Sequence, residues 1–180
     1  MAKIAVLGNG SWGSVLGSML ADNGNDVVLY GNIDSVNQEI NEHHTNTHYM
    51  KNWKLNPNVP ATGDLEKALD GAEIILFVLP TKAVRIVAKN VRKILDKTGT
   101  TPLLVTATKG IEPGSKKLIS DIFQILLYHA QLFQKLLHLT STVDLLSENH
   151  HIHQEILHYV SDKKIHPPLF SFYHRSPYIS

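Results

Sequence analysis

The sequence predicts an α/β fold: a doubly wound parallel sheet that is incomplete, followed by an irregular or helical C-terminal tail. Three observations predict it. Over residues 1–122, short apolar runs alternate with stretches whose apolar residues recur at spacings of three and four, the strand–helix alternation that builds such a sheet. One run, Ile74-Ile75-Leu76-Phe77-Val78, is apolar without a break, as suits a strand covered on both faces. A glycine-rich turn, Gly8-Asn9-Gly10-Ser11-Trp12-Gly13, joins the first run to the first helical stretch.

Taken in order, Lys3–Leu7 reads as a strand that stops at Gly8. Val15, Leu16, Met19 and Leu20 then share one helical face. Asp26–Tyr30 is a second strand, entered through Asn23-Gly24-Asn25, a turn-forming triplet. Glu73–Leu79 is a third, and Val84, Val87, Val91 and Ile94 mark the helix after it. Leu103-Leu104-Val105 is a fourth strand, and Lys109–Gly114 a loop. Ile119, Ile122, Phe123, Leu126, Leu127, Phe133, Leu136 and Leu137 are spaced as one continuing helix.

The composition changes along the chain. All eleven glycines lie between Gly8 and Gly114, whereas eight of the eleven histidines lie between His129 and His174. This divides the chain into a truncated domain over 1–122 and an atypical His-rich tail over 123–180. Lys plus Arg (17) balances Asp plus Glu (16), so no electrostatic pull toward nucleic acid or an anionic membrane is expected. There is no cysteine, which excludes disulfide and thiolate chemistry. No run approaches a membrane span, and the N-terminal apolar run is too short for a signal peptide. A cytoplasmic protein is the expectation.

The turn matches G-x-G-x-x-G, directly after a strand and opening a helix, the context that makes this motif specific for a dinucleotide. Gly8 permits the tight turn, Gly10 lets a pyrophosphate approach the backbone, and Gly13 lets the helix pack close to the strand. Free N–H groups and the helix dipole then face the phosphates. A glycine turn without a ligand is the plainer alternative. A residue for the adenosine ribose belongs about twenty positions further on. Asn32 lies nearest that place, with Asp34 slightly late and no Arg nearby, so NAD and NADP both stay open.

At this point the residues resemble a known family. Gly8 to Leu16 with Asp22-Asn23-Gly24-Asn25-Asp26-Val27, then Phe77-Val78-Leu79-Pro80-Thr81-Lys82-Ala83-Val84-Arg85 and Thr106-Ala107-Thr108-Lys109-Gly110-Ile111-Glu112, are similar to the front part of bacterial-type NAD(P)-dependent glycerol-3-phosphate dehydrogenase. The resemblance runs from about residue 3 to residue 122. It implies a Rossmann domain that binds NAD or NADP and an enzyme that reduces dihydroxyacetone phosphate to sn-glycerol 3-phosphate for phospholipid synthesis. It further implies that Ser11 and Trp12 contact the cofactor, that Asn32 lies by its adenosine end with Tyr49 approaching it, and that Lys109 sits between cofactor and substrate. Lys82 and Arg85 are candidates for a bound phosphate, or plain surface charges.

After Ile122 the family's pattern is lost. Neither its Ser/Gly/Pro strand end nor the helical-domain lysine that donates a proton is found, so no residue is assigned catalysis and the chain is expected to be inactive alone. Lys135, Lys163 and Lys164 stand in no matching context. The tail reads as an out-of-frame translation of a gene for the full enzyme, and a sheet left short of later strands would expose an edge and self-associate. Two other readings compete: a non-catalytic NAD(H)-binding module, and a metal site at His150, His151, His153 and His158, for which nothing close by sharpens the geometry.

Overall fold

The computed structural model describes residues 1–108, 110–127 and 136–138. Strand β1 (Lys3–Leu7) leads into helix α1 (Ser11–Asp22), followed by β2 (Asp26–Tyr30) and α2 (Asp34–His43). A short hairpin, β3 (Thr45–Asn46) and β4 (Met50–Lys54), precedes β5 (Ala61–Thr62) and α3 (Leu65–Leu69). Then come β6 (Ile74–Phe77), α4 (Thr81–Thr98), β7 (Leu103–Thr106), α5 (Ile119–Leu127) and β8 (Leu136–His138). Six strands form one sheet in the order β5-β2-β1-β6-β7-β8, and every pair in it is parallel.

The period-two alternation of a strand splits the core into two layers. From β1, Ile4 and Val6 face the layer of Leu16 and Leu20 of α1 and Val36 and Ile40 of α2. Ala5 and Leu7 face the opposite layer, with Val84, Ala88, Val91 and Leu95 of α4 and Ile119, Ile122 and Phe123 of α5. Phe77 and Phe123 meet edge to face, with centroids 4.6 Å apart. Burial on both faces explains why β1 and β6 read as unbroken apolar runs.

The expected third strand is shorter than Glu73–Leu79: β6 ends at Phe77. Val78 N still donates to Leu7 O, but Leu79 N turns to the Thr108 hydroxyl. The helix expected to continue through Leu137 is corrected more strongly. Helix α5 stops at Leu127, and Leu136–His138 pairs with β7 in the register Leu104↔Leu136, Val105↔Leu137 and Thr106↔His138. Backbone groups along the outer edge of β7 need partners, and a parallel strand supplies them. Helix α5 also runs through residue 122 and buries both Ile122 and Phe123. The histidines at 150, 151, 153 and 158 lie outside the described residues.

Candidate functional site

The glycine turn sits on the C-terminal ends of β1 and β6, neighbours from which the chain winds in opposite directions. Such a switch point leaves a crevice beyond the strand ends where ligands bind in open α/β sheets. Gly8 has φ +120°, and a Cβ there would lie 2.2 Å from the Val78 carbonyl oxygen. A Cβ on Gly13 would lie 1.8 Å from the Gly8 carbonyl oxygen. The protein's own packing therefore demands both glycines. Gly10 is different: its backbone is extended with φ −68°, and a Cβ there would meet nothing within 4 Å. Gly10 is the N-cap of α1, and the space beside its Cα is open for a group to approach the backbone.

The first hydrogen bond of α1 runs from Ser14 N to Gly10 O. The N–H groups of Ser11, Trp12 and Gly13 therefore have no helical acceptor, and no side chain caps the helix. These donors and the positive end of the helix dipole suit an anion. Ser11 and Trp12 are exposed, Trp12 by 57%.

Beneath the turn lies a buried polar network. Asn9 Nδ2 donates to Asn37 Oδ1 (2.8 Å), and Asn37 Nδ2 donates to Gly31 O (2.8 Å). Asn46 Nδ2 donates to Asn9 O (2.8 Å) and to Ser14 Oγ (2.9 Å), and Ser14 Oγ donates to Asn9 O (3.1 Å). The network joins the turn to the end of β2, to α2 and to β3.

The structure brings several expected residues to this turn. Ser11 Oγ donates to Tyr49 O across 3.4 Å, which sets the loop between β3 and β4 against the start of α1. Asn32 is exposed and follows Gly31, whose missing Cβ would fall 2.0 Å from Asn9 Cγ. Lys109 lies outside the described residues. Its neighbours are anchored at the switch point: Thr108 Oγ1 accepts from Leu79 N (3.1 Å), and a Cβ on Gly110 would lie 3.2 Å from Thr81 Oγ1.

Arg85 requires a correction. Its Nε and Nη2 donate to the two carboxylate oxygens of Glu112, each at 2.7 Å, a bidentate charge-assisted pair. Ser115 Oγ also donates to Glu112. The Arg85 and Ser115 donors, with the Arg85 charge, lower the Glu112 carboxyl to about 2 despite its burial. Arg85 thus clamps the segment after Lys109 to α4 and is committed before any phosphate arrives. Lys82, one turn earlier, stays exposed. Glu112 carried no role in the sequence reading. Its signal was present, an acidic residue in the same motif as the lysine, but its partner was distant in sequence.

Comparison with known proteins agrees with this geometry. Residues 3–137 match the family model described as "NAD-dependent glycerol-3-phosphate dehydrogenase N-terminus". The chain belongs to this family. It is 98% identical over 122 residues to a glycerol-3-phosphate dehydrogenase [NAD(P)+] of Lactobacillus johnsonii, a match covering 68% of this chain and 36% of that relative. A Lactobacillus helveticus relative of the same name is 84% identical over 122 residues, with the same coverage. Among solved structures, the glycerol-3-phosphate dehydrogenase of Coxiella burnetii aligns with TM-score 0.63 and 29% identity over 70% of this chain and 38% of that one. The chain therefore spans little more than a third of the length of these relatives.

A shallow cleft of about 420 Å³ between α3 and the end of α4, lined by Leu69, Ile94, Lys97 and Thr98 among others, shares no residue with the glycine turn. Among the described residues there is no group of three or more metal-ligating side chains, and no helix is long and apolar enough to cross a membrane.

Proposed function

We propose that this chain is the NAD(P)-binding part of a glycerol-3-phosphate dehydrogenase, the enzyme class that converts dihydroxyacetone phosphate and NAD(P)H into sn-glycerol 3-phosphate. The observation that carries the proposal is Gly10: an N-cap glycine with open space where a Cβ would stand, beside N–H groups that have no helical acceptor, at the switch point of the sheet. A pyrophosphate accounts for it, because the phosphates must approach the backbone there. In this reading Gly8 and Gly13 shape the turn, Ser11 and Trp12 border the dinucleotide, and Asn32 serves the adenosine ribose with Tyr49 nearby. The resemblance assigns Lys109 a role between cofactor and substrate, where an ammonium would attract a phosphate or polarise a carbonyl. When bound, the nicotinamide supplies the hydride.

Turnover by this chain alone is not part of the proposal. Reduction needs the cofactor, the carbonyl and a proton donor held together, and the sequence offers no proton donor in a family context. Phospholipid synthesis as the destination of the product and the cytosol as the compartment complete the reading. The test is a pair of measurements on the full chain. Saturable binding of NADH or NADPH, with no dihydroxyacetone phosphate reduction above background, is expected. Absence of binding overturns the assignment, and turnover overturns the inactivity. The competing reading, a non-catalytic NAD(H) module, shares the site and predicts the same result here.

A further inference from the structure

Asn9 lies inside the glycine turn, and its carbonyl points inward, where Asn46 Nδ2 and Ser14 Oγ both donate to it. Both donor residues are completely buried. A trans peptide is planar, and its C=O and N–H point in opposite directions. The Gly10 N–H, in the same plane as the Asn9 carbonyl, therefore faces away from the buried interior. Asn46 comes from β3, 37 residues along the chain from Asn9, so it reaches the turn only through the fold. Its amide donates twice and leaves its own Oδ1 buried without a partner among the described residues.

We propose that Asn46 and Ser14 are positioning residues for dinucleotide binding: they set the plane of the Asn9–Gly10 peptide so that the Gly10 N–H is aimed at the pyrophosphate before the ligand arrives. The proposal rests on the NAD(P)-binding reading above. A donor held in place beforehand needs no reorganisation on binding, which is where its affinity originates. Asn9 adds a second constraint. Its side chain is tied through Asn37 to the Gly31 carbonyl, so the peptide plane cannot swing without disturbing the end of β2.

The test uses the full chain and two ligands, NADH and adenosine, which lacks the pyrophosphate. Asn46→Ala should weaken NADH about tenfold and Ser14→Ala about threefold, the scale of a hydrogen bond to a charged group that is misaimed rather than removed. Ser14→Thr, which keeps the hydroxyl, should bind NADH as the parent does. Adenosine affinity should change little in all three. In the parent, the Gly10 amide nitrogen and proton resonances should shift on adding NADH, with a smaller shift in Ser14→Ala. Unchanged NADH affinity in both alanine variants overturns the proposal, as does an equal loss for NADH and adenosine, which marks a merely structural role. If Asn46→Ala does not fold, the comparison of Ser14→Ala with Ser14→Thr decides. A parent that binds neither NADH nor NADPH overturns the dinucleotide reading itself and this proposal with it.

Discussion

A Cβ added to Gly13 would lie 1.8 Å from a backbone oxygen, whereas one added to Gly10 would meet nothing within 4 Å. Gly13→Ala must therefore move backbone against backbone, and it should cost about 3 kcal/mol of stability, the upper range for overpacking. Denaturant unfolding checks this, and a loss near zero would contradict the close approach. The ion pair of Arg85 and Glu112 makes a second prediction at this scale. Hydrogen bonds from Arg85, then from Ser115, hold the Glu112 carboxyl at about 2 in the folded protein, against about 4.3 for an unperturbed glutamate. A depressed carboxyl contributes stability that is present above the unfolded value and lost as pH falls toward the folded one. Lowering the pH from about 4.3 should thus progressively lower Tm through this pair. Glu112→Gln should start from a lower Tm at neutral pH and fall less steeply over that window. Parallel curves for the two proteins would rule out the pair as a source of acid sensitivity.

The hairpin of β3 and β4 has little core of its own, with every residue of β4 after Met50 exposed. It is held through Glu39 of α2, whose carboxylate accepts from Thr45 Oγ1 (2.7 Å), Thr47 N (2.7 Å) and Thr47 Oγ1 (3.1 Å). The Thr45 hydrogen bond is the largest cause of its lowered pKa, against an opposing effect of burial. Glu39→Ala should speed hydrogen exchange at Thr47 and Tyr49 and weaken NADH severalfold, because this loop carries Tyr49. Unchanged exchange would show that the hairpin is held by its other contacts, among them those of Asn46 and Ser11, and not by Glu39. None of this was legible in the sequence. Helix α2 buries only Val36, Asn37 and Ile40, too few apolar positions to show a period, and β3 and β5 have two residues each. The strands and helices around the turn were legible, because burial on both faces writes unbroken apolar runs. Helix α5 was half legible: its spacing was read correctly at Ile119, Ile122 and Phe123 but carried on into Leu136 and Leu137, which pair with β7 instead. A short apolar run does not distinguish a helix from a buried strand. In the site, the glycine motif revealed the turn, but Asn46 and Glu112 work through partners distant in sequence, and no local pattern announces that.

At the scale of the whole molecule, the chain joins a region 98% identical to a glycerol-3-phosphate dehydrogenase over 122 residues to a segment that is rich in histidine and has no glycine. We propose that this segment is read out of frame. Translating the two other frames beyond the codon for Ile122 should restore a glycine-containing dehydrogenase-like sequence with a Ser/Gly/Pro motif. If neither frame does, the tail is a genuine extension. Self-association belongs to the same scale. Ile86, Ile111 and Leu118 are exposed by 65%, 56% and 46%, and Ile111 pairs with Leu118 across a β-bridge. Light scattering should therefore find species larger than a monomer, and Ile111→Lys with Leu118→Lys should reduce them. A monomer at all concentrations would contradict this. The central claim is that the glycine turn binds a dinucleotide, and Gly10→Val tests it most directly. Valine there meets no protein atom within 4 Å at its Cβ, so stability should stay within about 1 kcal/mol of the parent, the scale of an N-cap substitution. NADH and NADPH should be titrated into both proteins, with the exposed Trp12 as fluorescence reporter. The account predicts saturable binding to the parent and its loss in Gly10→Val at matched stability. Equal affinity in the two proteins would contradict it.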